Sequence, residues 1–186
     1  MIDLHKIDNA WTLFLDRDGV INHEKYEDYI HNWDEFNFYD GATEAIAIYA
    51  EIFKHIIVVT NQKGVGKGLT KLEDLELIHK NMVAAIEAAG GRIDAVYFCT
   101  DLEDNSINRK PNPGMGLQAV KDFPEIDLSK AIMIGNTISD MHFGRNLGVQ
   151  TIFLPTTRAD VDLNDERIDA VYNSLIDFAK DLKPLR

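Results

Sequence analysis

The chain has 186 residues, 45% hydrophobic and 27% charged, a composition that excludes fibrous and disordered classes and suits one globular domain spanning 1–186. Its formal net charge of −12, from 19 Lys plus Arg against 31 Asp plus Glu, argues against a nucleic-acid partner, because binding a polyanion needs a basic surface. No apolar run approaches the roughly 20 residues of a membrane helix, no signal-peptide pattern opens the chain, and its one cysteine, Cys99, cannot form an internal disulfide, so a cytoplasmic protein with no membrane partner is expected.

The first strand is predicted over 11–15, an apolar run that ends in Asp16-Arg17-Asp18-Gly19. Residues two apart on an extended chain point the same way, so Asp16 and Asp18 share a site while Arg17 points elsewhere. Two carboxylates leaving an apolar strand repel each other unless a cation or substrate joins them, and a hard divalent cation suits oxygen ligands. A lone D-x-D is also common in loops of solvated acids. A helix over 42–53, capped by Asp40, leads to a strand over 56–60 that runs into Thr60-Asn61-Gln62. There a hydroxyl and two amides can hold phosphate oxygens or simply build a turn. Gly64, Gly66 and Gly68 around Lys67 lack the Walker A spacing and read as a flexible loop. Thr70 and Glu73 form a capping-box pattern. The helix after them repeats Leu75, Ile78, Met82, Ile86 and Ala89 at helical spacing and stops at Gly90-Gly91.

The third strand, over 95–99, is followed by the basic pair Arg109-Lys110, stiffened by Pro111. Asn112-Pro113 opens a helix carrying Leu117, Val120 and Phe123. The fourth strand, over 131–135, ends at Asn136, four residues before Asp140, which puts both at the edge that carries Asp16. Ser139 or Asp140 can equally serve as the cap of a helix over 139–147. A fifth strand over 151–154, a weaker sixth over 169–172 and a helix from Ser174 to about 182 complete the pattern. Strands alternating with helices imply an α/β fold, a mainly parallel sheet covered on both faces, with ligands at the carboxyl ends of the strands. Singly, each polar group has an ordinary structural explanation. Together, acid, hydroxyl, base and acid end four successive strands.

That ordered set resembles the haloacid dehalogenase-like superfamily of phosphatases, with Asp16-Arg17-Asp18-Gly19, Thr60, Lys110 and Asn136 to Asp140 matching its four motifs. The resemblance implies a Rossmann-like fold, with Asp16 as nucleophile, Asp18 as acid and base, Thr60 binding the phosphoryl group and Lys110 offsetting its charge. It also implies Mg²⁺ held by Asp16, Asp18, Asn136 and Asp140. Within the superfamily, the chain is similar to the subfamily of heptose bisphosphate phosphatases and histidinol-phosphatases. The continuation Asn112-Pro113-Gly114-Met115 is similar to the heptose enzymes. The implied substrate is a sugar phosphate, D-glycero-D-manno-heptose 1,7-bisphosphate losing its 7-phosphate, with Asn61, Gln62 and Arg109 helping to hold it. Histidinol-phosphatase is the alternative enzyme, and a non-catalytic phosphate-binding protein is the alternative from another class.

The spacing between motifs leaves no room for a cap domain, and no excess apolar stripe marks an oligomer, so a monomer is expected. Two departures stand out. The segment before Arg109 has one cysteine and no histidine where many members carry a zinc loop, so no zinc is expected. Asn136 stands where the family usually has Asp, which removes one negative charge and predicts weaker Mg²⁺ affinity with activity retained. None of the six histidines (5, 23, 31, 55, 79 and 142) falls in a ligand pattern, and His23, nearest the expected site, is placed on the surface.

Overall fold

In the computed structural model, which describes residues 2–182, the apolar runs become parallel strands. These are β1 (Thr12–Leu15), β2 (His55–Asn61), β3 (Ala95–Cys99), β4 (Ala131–Gly135), β5 (Gln150–Phe153) and β6 (Ala170–Val171). They pair in the order β3-β2-β1-β4-β5-β6, every neighbouring pair parallel. The period of two along each strand divides the core. Leu13, Ile56, Val58, Ile132 and Ile134 face one layer, and Phe14, Ile57, Val59 and Met133 face the other. Helices α1 (Ala42–Ile52), α3 (Leu72–Ala88) and α6 (Leu175–Leu182) cover the first layer. Helices α4 (Gly114–Asp122) and α5 (Ile138–Leu147) cover the second. Both faces are therefore buried, which is why the strands read as nearly continuous apolar runs.

Several helix starts differ from those predicted. Gly41, in the left-handed region at φ 74°, stands at the start of α1 in place of Asp40. Lys71 precedes α3 without a side-chain cap. The Thr70 hydroxyl is instead bonded to His31 Nδ1 at 2.9 Å, so a loop contact competes successfully with the cap. Helix α5 is capped by Thr137, which forms a capping box with Asp140, so of the two predicted capping residues Asp140 takes part and Ser139 does not. The glycine-rich stretch is not a loop throughout, because Lys63–Gly66 winds into one helical turn, α2. There the Cα of Gly66 lies so near the Thr100 carbonyl that a Cβ would sit 2.0 Å from its oxygen.

β1 lies at the centre, with β2 on one side and β4 on the other. The strand order reverses there, so the connections diverge and leave a crevice at the carboxyl ends of β1 and β4. The Asp16 N–H continues the ladder to the Ile134 carbonyl at 3.0 Å, which fixes Asp16 at the floor of that crevice.

Candidate active site

Three strand ends and the loop after β3 converge on one cavity of about 340 Å³, lined by Asp16, Asp18, Thr60, Asn61, Arg109, Lys110, Asn136 and Asp140 among others. Eight of the nine predicted site residues line it. The ninth, Gln62, is buried just behind and donates to Asp18 Oδ2 at 2.8 Å and to the Thr60 hydroxyl at 2.9 Å.

Lys110 is the electrostatic centre. Its ammonium, almost wholly buried, lies 2.8 Å from Asp16 Oδ1 and 2.7 Å from Asp140 Oδ1. Burial works against the charged lysine, but the two carboxylates outweigh it and raise its proton affinity. Asp16 is affected in the opposite sense. Burial and then the Asp140 charge raise its pKa, and Lys110 only partly restrains the rise. Two carboxylates against one lysine leave an uncompensated negative charge. Asp140 is held firmly, its Oδ2 accepting from the Asn136 N–H, the Thr137 N–H and the Thr137 hydroxyl at 3.2, 3.0 and 2.7 Å.

Asn61 supplies the rigidity of the lysine. Its amide oxygen accepts from the Lys110 N–H and its amide nitrogen donates to the Lys110 carbonyl, both at 3.0 Å. Asn61 also lines the cavity, and its amide nitrogen carries a second N–H. Arg109 donates to Asp104 at 3.3 Å, and its buried Nη1 has no partner among the described residues.

Asp18 is held in a different way from Asp16. Arg17 is completely buried, and its guanidinium turns back onto Asp18, Nε and Nη2 donating at 3.2 and 2.9 Å to Oδ1 and Nη2 at 2.9 Å to Oδ2. Asn22 adds a bond to Oδ1 at 2.9 Å. Burial alone would raise the Asp18 pKa, but the Arg17 charge and the bonds from Asn22, Arg17 and Gln62 overcome it and hold the carboxyl below its ordinary value. The predicted divergence of Arg17 from Asp16 is found, but its destination is Asp18.

His79 backs Arg17 and was not singled out by sequence, although it lies on the apolar stripe of α3 between Leu75 and Met82. Burial, and then the neighbouring Arg17 charge, push its pKa down to about 3. The sign of the consequence follows from proton counting. Between pH 6.5 and about 3 the unfolded chain binds a proton at this histidine and the native state does not, so stability falls as the pH drops through that window. Urea unfolding at pH 7 and pH 5 should show a loss on the order of 2 kcal/mol from this group, and a loss just as large in His79→Phe would contradict the assignment.

Other residues enter the site from afar. Thr156 donates to the Gly19 carbonyl, and the Thr157 hydroxyl accepts from Asn136 Nδ2 at 2.7 Å. Gly19, at φ 82°, packs directly on the Asn136 amide, where a Cβ would come within 1.9 Å of Nδ2. The other amide atom, Asn136 Oδ1, is buried and has no partner among the described residues. An orphaned oxygen on a residue that lines the same cavity as Asp16 and Asp140, whose charge Lys110 only partly offsets, is a donor set that fits a hard divalent cation. Arg158 and Glu24 line the cavity and its neighbour, a space of about 460 Å³ that opens beside Asp18 and Asn61 under the loop over 24–30. His23 is exposed, its ring centroid 3.9 Å from that of Tyr39 and tilted to it by 39°. No described helix is long and apolar enough to cross a membrane.

A model of the HAD-hydrolase-like family matches residues 107–178. D-glycero-alpha-D-manno-heptose-1,7-bisphosphate 7-phosphatase of Mycobacterium bovis is 32% identical over 172 residues, 92% of this chain and 90% of that protein. D-glycero-beta-D-manno-heptose-1,7-bisphosphate 7-phosphatase of Yersinia pestis is 33% identical over 181 residues, 92% and 95% of the two chains. The crystal structure of D,D-heptose 1,7-bisphosphate phosphatase from B. bronchiseptica, complexed with magnesium and phosphate, superposes with a TM-score of 0.82 at 25% identity, covering 95% of this chain and 99% of that one. Sharing a third of its residues with such phosphatases along nearly their full length, the chain belongs to the heptose bisphosphate phosphatase family of the haloacid dehalogenase-like hydrolases.

Proposed function

We propose that this protein is a cytoplasmic, monomeric, Mg²⁺-dependent phosphatase that removes the 7-phosphate of D-glycero-D-manno-heptose 1,7-bisphosphate through an aspartyl phosphate on Asp16. The observation that carries the reading is Lys110 bridging Asp16 and Asp140 at the floor of a crevice that Asp18 overlooks. The substrate follows from the names of the relatives.

The residues can perform both half-reactions. Asp16 attacks phosphorus, the bond from phosphorus to the sugar oxygen breaks, and that oxygen takes a proton from Asp18. Water then gives a proton to Asp18 and attacks phosphorus, the bond to Asp16 breaks, and inorganic phosphate leaves. Asp18 starts as a carboxylate, because Arg17, Asn22 and Gln62 favour its charged form. A phosphate dianion arriving beside it opposes that preference by like-charge repulsion, so Asp18 takes up from solvent, before the first half-reaction, the proton the alkoxide needs. Thr60 and the N–H left over on Asn61 meet the phosphoryl oxygens, Lys110 supplies their countercharge, and Arg109 offers its unpartnered nitrogen to the substrate. Mg²⁺, held by Asp16, the Asp18 main chain, Asn136 and Asp140, would add positive charge at the phosphoryl group.

No zinc is part of this reading. The loop before Arg109 is tied instead by a hydrogen bond between Ser106 and Asp101 and by Asn112 donating to the Ser106 carbonyl at 2.8 Å. A partner nucleic acid is disfavoured by the net charge of −12.

Phosphate release from the two anomers of the heptose bisphosphate, with histidinol phosphate as competitor, tests the substrate. Preference for a heptose anomer is the expected result, and equal or better use of histidinol phosphate would refute it. Asn136→Asp should tighten Mg²⁺ binding about tenfold in a calorimetric titration, since the added charge sits where the orphaned amide oxygen now lies. An unchanged affinity would place the ion elsewhere.

A further inference from the structure

Asp18 can act as acid and base only if its carboxyl group keeps one orientation beside the leaving oxygen. The group that sets this orientation is itself a long, flexible side chain. Arg17 grips Asp18 with Nε and Nη2 through three hydrogen bonds of 2.9 to 3.2 Å. A guanidinium is planar, so fixing its far nitrogen fixes the plane of the whole fork. That far nitrogen, Nη1, lies 3.0 Å from His79 Nε2. Arginine has no acceptor, so Nε2 must receive the bond, and the histidine is neutral with its proton on Nδ1. The imidazole is in turn buried, on α3, with its ring 5.4 Å from that of Phe98 on β3. Phe36 lies on the other side, its ring centroid 6.0 Å from the guanidinium carbon. None of these three, His79, Phe98 and Phe36, lines the cavity that holds Asp16 and Asp18.

We propose that His79 is a positioning residue for the acid/base step, transmitting the rigidity of α3 through Arg17 to the Asp18 carboxylate. This inference rests on the phosphatase reading and adds to it a role for a residue that touches neither substrate nor metal. The alternative is a buried histidine that does no more than satisfy an arginine. The two differ in what they predict for the leaving group. An alkoxide needs the proton that Asp18 delivers, whereas a nitrophenolate is a good leaving group without it. A loosened Asp18 therefore penalises sugar esters selectively, and a general loss of packing penalises both ester types alike.

The test is kcat/KM for D-glycero-D-manno-heptose 1,7-bisphosphate and for p-nitrophenyl phosphate, which reports steps through departure of the first product and so isolates leaving-group protonation. In His79→Phe, which keeps a ring against Phe98 but removes the acceptor, the ratio of heptose to nitrophenyl kcat/KM should fall about tenfold. His79→Gln, whose amide oxygen can accept from Nη1, should restore most of that ratio. His79→Leu serves the same purpose if the Phe variant does not fold. A parallel fall for both esters, an unchanged ratio, or no rescue by Gln would overturn the positioning role. A wild type inert towards both esters would overturn the phosphatase reading, and this role with it.

Discussion

Replacing Asp16 by Asn is expected to abolish phosphate release, lowering kcat by at least about four orders of magnitude, because the amide cannot form the phosphoryl ester on which both half-reactions depend. Loss of activity should not accompany loss of fold. Asp16 is buried beside Asp140, and that burial and repulsion raise the free energy of its ionised form. A carboxyl whose pKa is raised by folding costs nothing at low pH, where it is protonated in both states. It costs progressively more stability as the pH rises through and above the ordinary carboxylate range. The Asn variant lacks this penalty and leaves Lys110 paired one to one with Asp140. In the presence of a chelator its melting temperature should therefore exceed that of the wild type, and by more at pH 8 than at pH 4. Phosphate release at saturating Mg²⁺ and paired melting curves measure both effects. Turnover within a hundredfold of wild type would mean that another group attacks phosphorus. A destabilised variant would mean that the Asp16 to Lys110 pair contributes more than the crowding of acids costs.

The second large effect belongs to Lys110. Its conversion to Met removes the one cation between two buried carboxylates, so both catalysis and stability should suffer. We expect kcat to fall about 10²–10³-fold, the usual consequence of deleting one preorganised electrostatic donor. Stability should drop by about 3–5 kcal/mol at pH 8, as for other buried ion pairs stripped of one partner. The drop should shrink towards lower pH, where Asp16, whose proton affinity is raised by burial and then by the Asp140 charge, takes up a proton. Mg²⁺ should raise the melting temperature of the variant by more than that of the wild type, since an added cation relieves the repulsion, yet kcat should stay low. Recovery of kcat by Mg²⁺ would show that Lys110 serves only as a countercharge to the protein and not to the phosphoryl group.

Much of this was legible in the chain. Strands buried on both faces read as apolar runs, and a polar residue that ends such a run must sit at the carboxyl edge of the sheet. Asp16, Thr60, Asn136 and, through the turn into α5, Asp140 were placed by that reasoning. The helix starts were less legible. Asp40, Thr70 and Ser139 have suitable side chains for caps, but Gly41 leads α1, Thr70 is engaged by His31 from another loop, and Thr137 caps α5. A cap is a contest among nearby hydrogen-bond partners, and the winner depends on loops that the local sequence does not contain.

The same division runs through the site itself. Sequence by itself placed the residues that end the strands, Asp16, Thr60 and Asn136, at the crevice, because the order of residues along a strand is a local, geometric property of the backbone, whereas Glu24 and Arg158 reach it only through folded loops. Only the tertiary structure decided what each of them does there. Arg17 turns back to clamp Asp18, Asn61 is spent on the Lys110 main chain, and His79 and Thr157 arrive from positions 62 and 21 residues away to orient Arg17 and Asn136. These bonds form because burial leaves each polar atom only the partners that the packed elements bring to it, and that set exists only once the chain has closed around the site.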